Sequence, residues 1–288
     1  MTTDAELLLQ SDLEILLADI YRHYNHDFRE YAESSLRRRL SSAMRKMNID
    51  NVLQLRKYIL KDRRNFYELL PHITVPVSAM FRDPSYFLAL RQHVLPALKT
   101  CLFPKIWVAG CCTGEEAYSI AILLQEEDLF ERSVIYATDI NPVALENAER
   151  GIFRAEHLRL YTENYQKAGG KTTFSDYYHA AYDHVVFDRS LRKNIVFSEH
   201  NLATDGIFSE MQFISCRNVL IYFQRGLQSR TLGLFYGSLC SKGFLGLGAR
   251  ETVSFSTYAC HFDSCVKTSR IYRKSDAQSD RLERRFCQ

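Results

Sequence analysis

The chain has 288 residues, 46% of them hydrophobic and 25% charged, enough to bury a sizeable core and to divide into two domains. A net charge of +3 is too mild to imply a nucleic-acid partner. With no apolar run of about 18 residues, no basic-apolar leader, and eight cysteines in neither C-x-x-C nor paired Cys/His spacing, the chain is expected in the cytoplasm, without membrane insertion, export or a metal site.

Residues 1–70 contain no convincing strand and read as an all-helical domain. Leu13, Leu16, Leu17, Ile20 and Tyr21 form one helical stripe. A second helix, 31–47, buries Leu36, Leu40, Ala43, Met44 and Met47 and turns Arg37, Arg38, Arg39, Arg45 and Lys46 outward. These cations meet no acid between Glu33 and Asp50, so the face is either solvated or docks an acidic partner. Two short helices follow at 51–60 and 64–70. The stretch 71–83, PHITVPVSAMFRD, has two prolines and β-branched residues; it reads as extended, with 71–84 as the linker. Arg82, at its end, is placed to meet a carboxylate in a cleft or to form a surface salt bridge.

A second domain, 85–275, opens with a helix over 85–98 and is organised around 105–125, KIWVAGCCTGEEAYSIAILLQ. Ile106, Trp107, Val108 and Ala109 form the apolar run of a buried parallel strand. A turn of small residues, Gly110 to Gly114, leads to a helix with Ala117, Ile120, Ala121 and Leu124 on one period. Strand, glycine turn and helix let a ligand approach the backbone at a sheet's carboxyl edge. The next strand, 134–138, ends on Asp139. An acid about 20 residues beyond such a turn can bind the two hydroxyls of a ribose; it can also cap the helix that follows, and the two roles can coexist. Glu115 and Glu116 compete with a pyrophosphate for the helix N-terminus, so they suit a cationic nucleoside. S-adenosylmethionine, with no phosphate, a sulfonium and an ammonium, is such a ligand. A nicotinamide-dependent oxidoreductase shares the strand-turn-helix-acid pattern but is disfavoured by the missing third glycine of G-x-G-x-x-G.

Residues 152–194, rich in Tyr and Phe, read as an inserted subdomain of short antiparallel strands. Strands at 194–197, 213–216, 244–247 and 270–272 and a helix at 228–239 complete an α/β fold, and 276–288 reads as a flexible tail.

The motifs SAMFRD (78–83), TGEEAYSIA (113–121), ATDIN (137–141) and CRNVLIYF (216–223), joined by RGIF and HNL, resemble the CheR-type chemotaxis receptor methyltransferases, with order and spacing agreeing from about residue 10 to 273. The resemblance implies a Rossmann-like S-adenosylmethionine-dependent methyltransferase domain with a small inserted antiparallel β-subdomain, preceded by an N-terminal helical domain. It implies a monomeric enzyme that O-methylates glutamate side chains of an acidic helical receptor or related signalling protein, releasing S-adenosylhomocysteine. Carried over by matching position, Ser78 and Arg82 lie along the cofactor, Gly110 lets it approach the backbone, and Glu115 takes its amino end. Asp139 takes the ribose, Asn201 and Leu202 flank the adenine, Cys216 and Arg217 close the pocket, and Tyr222 stands with Arg82 at the methyl-transfer face. Arg37, Arg38, Arg45 and Lys46 dock the partner. Pro76 stands where the family often has a cofactor-touching asparagine, Ala249-Arg250-Glu251 replaces the usual His-Ser-Glu, and SDYYHAAYDHVVFD is a variant of a subdomain that can grip a tethering peptide. A glutamate is ionised at neutral pH and needs no general base, so the lack of an acid/base constellation agrees with this reading. The competing reading keeps fold and cofactor but drops catalysis, leaving a regulatory module that binds S-adenosylmethionine in a signalling assembly.

Overall fold

The computed structural model describes residues 10–275; the expected tail, 276–288, lies outside the described residues. Four helices come first. α1 (Gln10–Tyr24) buries Leu13, Leu16, Leu17 and Ile20, and α2 (Glu33–Lys46) buries Leu36, Leu40, Ala43 and Met44, each on a single stripe. α3 (Val52–Lys61) and α4 (Arg63–Thr74) are N-capped by Asn51 and Asp62, whose side chains accept from Gln54 N and Arg64 N.

α4 corrects the expectation of an extended chain from Pro71: the helix runs through that proline to Thr74 and stops at Val75, in the left-handed region at φ 49°. An interior proline costs about 3 kcal/mol. Leu69, Leu70 and Ile73 are fully buried, and burial of each contributes about 1.5–3 kcal/mol, so packing outweighs the broken bond. The helix expected over 85–98 forms as α5 (Pro84–Ala89), a π-helical turn (Leu90–Val94) and α6 (Leu95–Leu98). The widened turn precedes Pro96, which has no N–H to give.

The strands, in chain order, are β1 (Lys105–Ala109), β2 (Val134–Asp139), β3 (Ile152–Arg154), β4 (Tyr178–Ala181), β5 (His184–Phe187), β6 (Ile195–Glu199), β7 (Met211–Cys216), β8 (Leu239–Leu247), β9 (Phe262–Val266) and β10 (Ile271–Lys274). Between them lie α7 (Glu115–Glu126), α8 (Pro142–Arg150), α9 (Leu158–Lys167), α10 (Arg189–Arg192) and α11 (Arg225–Ser238). A seven-stranded sheet has the order β6-β2-β1-β7-β8-β10-β9; it is parallel from β6 to β8 and antiparallel beyond. β9, which pairs with β10, is a strand the sequence reading did not anticipate. The inserted subdomain is the antiparallel sheet β3-β5-β4, with α9 within the same insertion.

One face of the large sheet packs with Phe87, Ile120 and the subdomain's Phe174 and Phe187. On the other face Trp107, Ile214 and Phe235 join Leu40, Phe66 and Ile73 of the N-terminal helices in a continuous core. The N-terminal region also reaches the loops at the strands' carboxyl ends: a His26 ring nitrogen lies 3.3 Å from Ile140 O after β2, and Asn201 Nδ2, after β6, donates to Asn25 O at 3.3 Å. Among the described residues no helix is long and apolar enough to cross a membrane.

Candidate functional site

The loops leaving β1, β2, β6 and β7 and the end of α4 enclose a cavity of ≈ 300 Å³. Its floor is the turn after β1. Gly110 has φ +74°, and a Cβ there would come within 2.4 Å of the Val219 methyl, so only glycine brings the two loops this close. Gly110 N and Cys111 N both donate to Thr138 O, at 2.8 and 2.9 Å, tying the turn to β2.

Asp139, at the tip of β2, stands in the cavity wall. Its two carboxylate oxygens accept from Cys112 N and Asn141 N, each at 2.9 Å, which fixes the side chain and leaves further lone pairs toward the cavity. Burial pushes this carboxyl above its ordinary value, against the backbone donors that favour the anion. The capping role considered for Asp139 falls instead to Asn141, whose Oδ1 accepts from Val143 N and Ala144 N at the start of α8.

Of the expected contacts, Ser78, Arg82, Gly110, Asp139, Asn201, Leu202, Arg217 and Tyr222 all line this one cavity. Glu115 and Cys216 do not. Successive residues on a helix point about 100° apart, and here Glu116 takes the wall position. Glu116 lines the wall, accepting from Ser215 Oγ at 2.6 Å and from Arg217 Nη1 at 3.1 Å. Glu115 is buried beside the wall residue Ser78; the Thr113 hydroxyl donates to it at 2.7 Å. Burial raises its carboxyl, opposed by hydrogen bonds from Thr113 and Ser78. Cys216 is sealed inside β7, and burial pushes its thiol well up. Pro76 is likewise absent from the wall, although its neighbours Val75 and Val77 line it.

Arg217 is the rigid post of the site. Its side chain is 1% exposed and donates to Glu116, to Asp83 at 2.7 Å and to Arg82 O at 2.9 Å, with the guanidinium 4.1 Å from the Tyr86 ring centre. Bonds of this kind, with both partners charged, are the strong ones.

Arg39, expected to face outward with the other cations of α2, instead faces the cavity. It lies one turn from Leu36, on the flank of the buried stripe, and reaches into the cavity wall. Its guanidinium donates to Ile73 O and to Ser35 Oγ and lies over the Tyr222 ring. The 36–39–40–43 spacing was the signal that could have found it. Tyr31 and His200 also line the cavity and were not anticipated. Of the docking residues, Arg38, Arg45 and Lys46 are exposed, whereas Arg37 pairs with Glu33 at 2.8 Å, so Arg37 does not lack an acid.

The lining fits S-adenosylmethionine: Asp139, a fixed carboxylate at the β2 tip, is placed for ribose hydroxyls, and Glu116, in the first turn of α7, puts a second carboxylate in the wall. Fold and site together define an S-adenosylmethionine-dependent methyltransferase. Residues 11–74 match the family model described as CheR methyltransferase, all-alpha domain, and residues 76–269 match the CheR methyltransferase, SAM binding domain. The chain belongs to the CheR methyltransferase family. It is 51% identical over 264 residues to a "Putative methyltransferase Cher3" of Pseudomonas putida, covering 92% of this chain and 97% of that one. It is 29% identical over 247 residues to a chemotaxis protein methyltransferase of Listeria innocua, covering 85% and 91%. Among solved structures, the N-methyltransferase NodS of Bradyrhizobium japonicum in complex with S-adenosyl-L-homocysteine is 12% identical, with a TM-score of 0.38 over 69% of this chain and 90% of that one.

Proposed function

We propose that the protein O-methylates glutamate side chains of a chemotaxis-type receptor or a related signalling protein. The observation that carries this reading is that Arg82 and Tyr222 line the same cavity as Asp139, below a helix whose outer face bears Arg38, Arg45 and Lys46. Asp139 would hold the cofactor's ribose, Asn201 and Leu202 its adenine, and Glu116, with Glu115 behind Ser78, its cationic amino end. Bound S-adenosylmethionine supplies an activated methyl group on a sulfonium.

The chain's own residues then need only position the acceptor. A glutamate is ionised at neutral pH, so no side chain has to remove a proton. Arg82 faces the acceptor carboxylate and keeps it charged while it leaves water. Tyr222, held from α2 by Arg39, forms the wall against which the carboxylate is aligned. Alignment of this kind can lower a barrier by roughly 7–11 kcal/mol. The acceptor, an acidic receptor helix, docks on α2.

The test is incubation with methyl-labelled S-adenosylmethionine and a lysate of the protein's own cell, followed by mapping of the label. Glutamate methyl esters release labelled methanol in mild base. Base-stable label on lysine or arginine would overturn the assignment, as would label transfer to small molecules alone.

A further inference from the structure

Glu251 takes no part in the cavity wall, yet it governs the loop that does. It follows β8, is 4% exposed, and receives four backbone N–H groups on its two oxygens. Oε1 accepts from Val219 N at 2.9 Å and Ile221 N at 3.3 Å; Oε2 accepts from Asn218 N at 2.9 Å and Gly248 N at 2.6 Å. Three of these donors belong to the segment between Arg217 and Tyr222, which turns through Asn218 at φ 59° so that successive N–H groups converge. This is a peptide nest wrapped around an anion, and here the anion is a side chain of the same protein.

Each end of the loop has its own anchor. Arg217 is fixed by Asp83, Glu116 and Arg82 O, and Tyr222 O accepts from Ala32 N at 2.8 Å. Between these anchors Asn218 and Val219 line the cavity, and Val219 closes on Gly110. We propose that Glu251 is a positioning residue, a buried anion that holds 218–221 in the shape that aligns the methyl-transfer end of the cavity. Its ionised carboxylate can accept all four donors. An amide cannot, because whichever way it is turned its NH2 group faces two N–H donors. Gly248 completes the device, since a Cβ there would lie 2.6 Å from Glu251 Oε2 and 2.8 Å from Asn218 N.

Glu251→Gln in the whole 288-residue chain tests this. Amide hydrogen exchange across 218–221 is expected to rise at least ~10-fold while β1 and β2 keep their protection. Affinity for S-adenosylhomocysteine, set largely from Asp139 and Asn201, is expected to change by less than about 3-fold, and label transfer at saturating S-adenosylmethionine to fall up to about 10²-fold, the scale of a 1 Å misplacement. Should that variant fail to fold, Gly248→Ala displaces the carboxylate without removing its charge and is read the same way. Unchanged exchange at 218–221, or a loss of protection spread over the whole sheet, overturns the proposal. Neither the exchange nor the affinity depends on the acceptor's identity, so failure of the glutamate assignment would leave both readouts standing.

Discussion

Arg39 and Tyr222 stand on different domains, yet the guanidinium carbon of one lies 4.2 Å from the ring centre of the other. The pair joins the helix proposed to meet the partner to the residue proposed to face the methyl acceptor. The backbone repeats the link: Ala32 N donates to Tyr222 O, Tyr31 bridges Phe223, and Gln224 N donates to Glu30 O. A cation over an aromatic face is worth about 0.5–2 kcal/mol. Arg39→Leu, which keeps bulk but loses the charge, is therefore expected to slow methyl transfer by about 2–30-fold, with S-adenosylhomocysteine affinity changed less. Equal losses in rate and affinity would make Arg39 a cofactor contact instead.

Asp139→Ala is expected to weaken S-adenosylhomocysteine binding by about 1–3 kcal/mol, read by calorimetry. The pH dependence follows from the same residue. Burial raises its carboxyl above the ordinary 3.8 in the free protein, while ribose hydroxyls donating to it favour the anion. Binding therefore expels a proton wherever Asp139 is protonated. Affinity should be flat above the raised value and fall as pH drops through it. Asp139→Asn should remove part of this slope, the rest belonging to Glu115, which burial also raises. Affinity that improves on acidification would contradict the assignment.

Arg82 lines the cavity with one N–H on Val77 O at 3.3 Å, leaving most of its guanidinium for a ligand. If it orients the acceptor, Arg82→Ala should lower turnover far more than cofactor affinity. Steady-state rates set beside calorimetry decide the point, and an equal fall in both would reduce Arg82 to a cofactor ligand.

Reversing Arg38 and Arg45 to glutamate should abolish methylation of a protein acceptor, with S-adenosylhomocysteine binding intact. The wild-type rate should also fall with added salt, because contacts of this kind set encounter and register. The competing mode is a peptide held along the edge of the β-subdomain. Removing 172–188 is a poor test of it, because Phe174, Tyr177, Val185 and Phe187 are part of the main core. Tyr182→Ala, at a fully exposed ring on the turn after β4, tests that edge without disturbing the core. Transfer lost there and kept in the α2 double variant would move docking to the subdomain.

What the sequence determined by itself was local and periodic. The strand-turn-helix of 105–125, Asp139 at the next strand tip and the burial stripes of α1 and α2 are written in neighbouring residues, because backbone preference and 2- or 3.6-residue periods act over short spans. The tertiary structure decided what depends on packing partners far along the chain. The sheet face that covers Leu70 and Ile73 carried α4 through Pro71. The packing of α7 selected Glu116 over Glu115 for the wall. Tyr222, far along the chain from Arg39, drew that one arginine of the four on α2 inward. Glu251 reads from its neighbours as an ordinary loop acid; only the fold brings the amides of Asn218, Val219 and Ile221 to its carboxylate, three contacts about 30 residues away in sequence that no local pattern encodes.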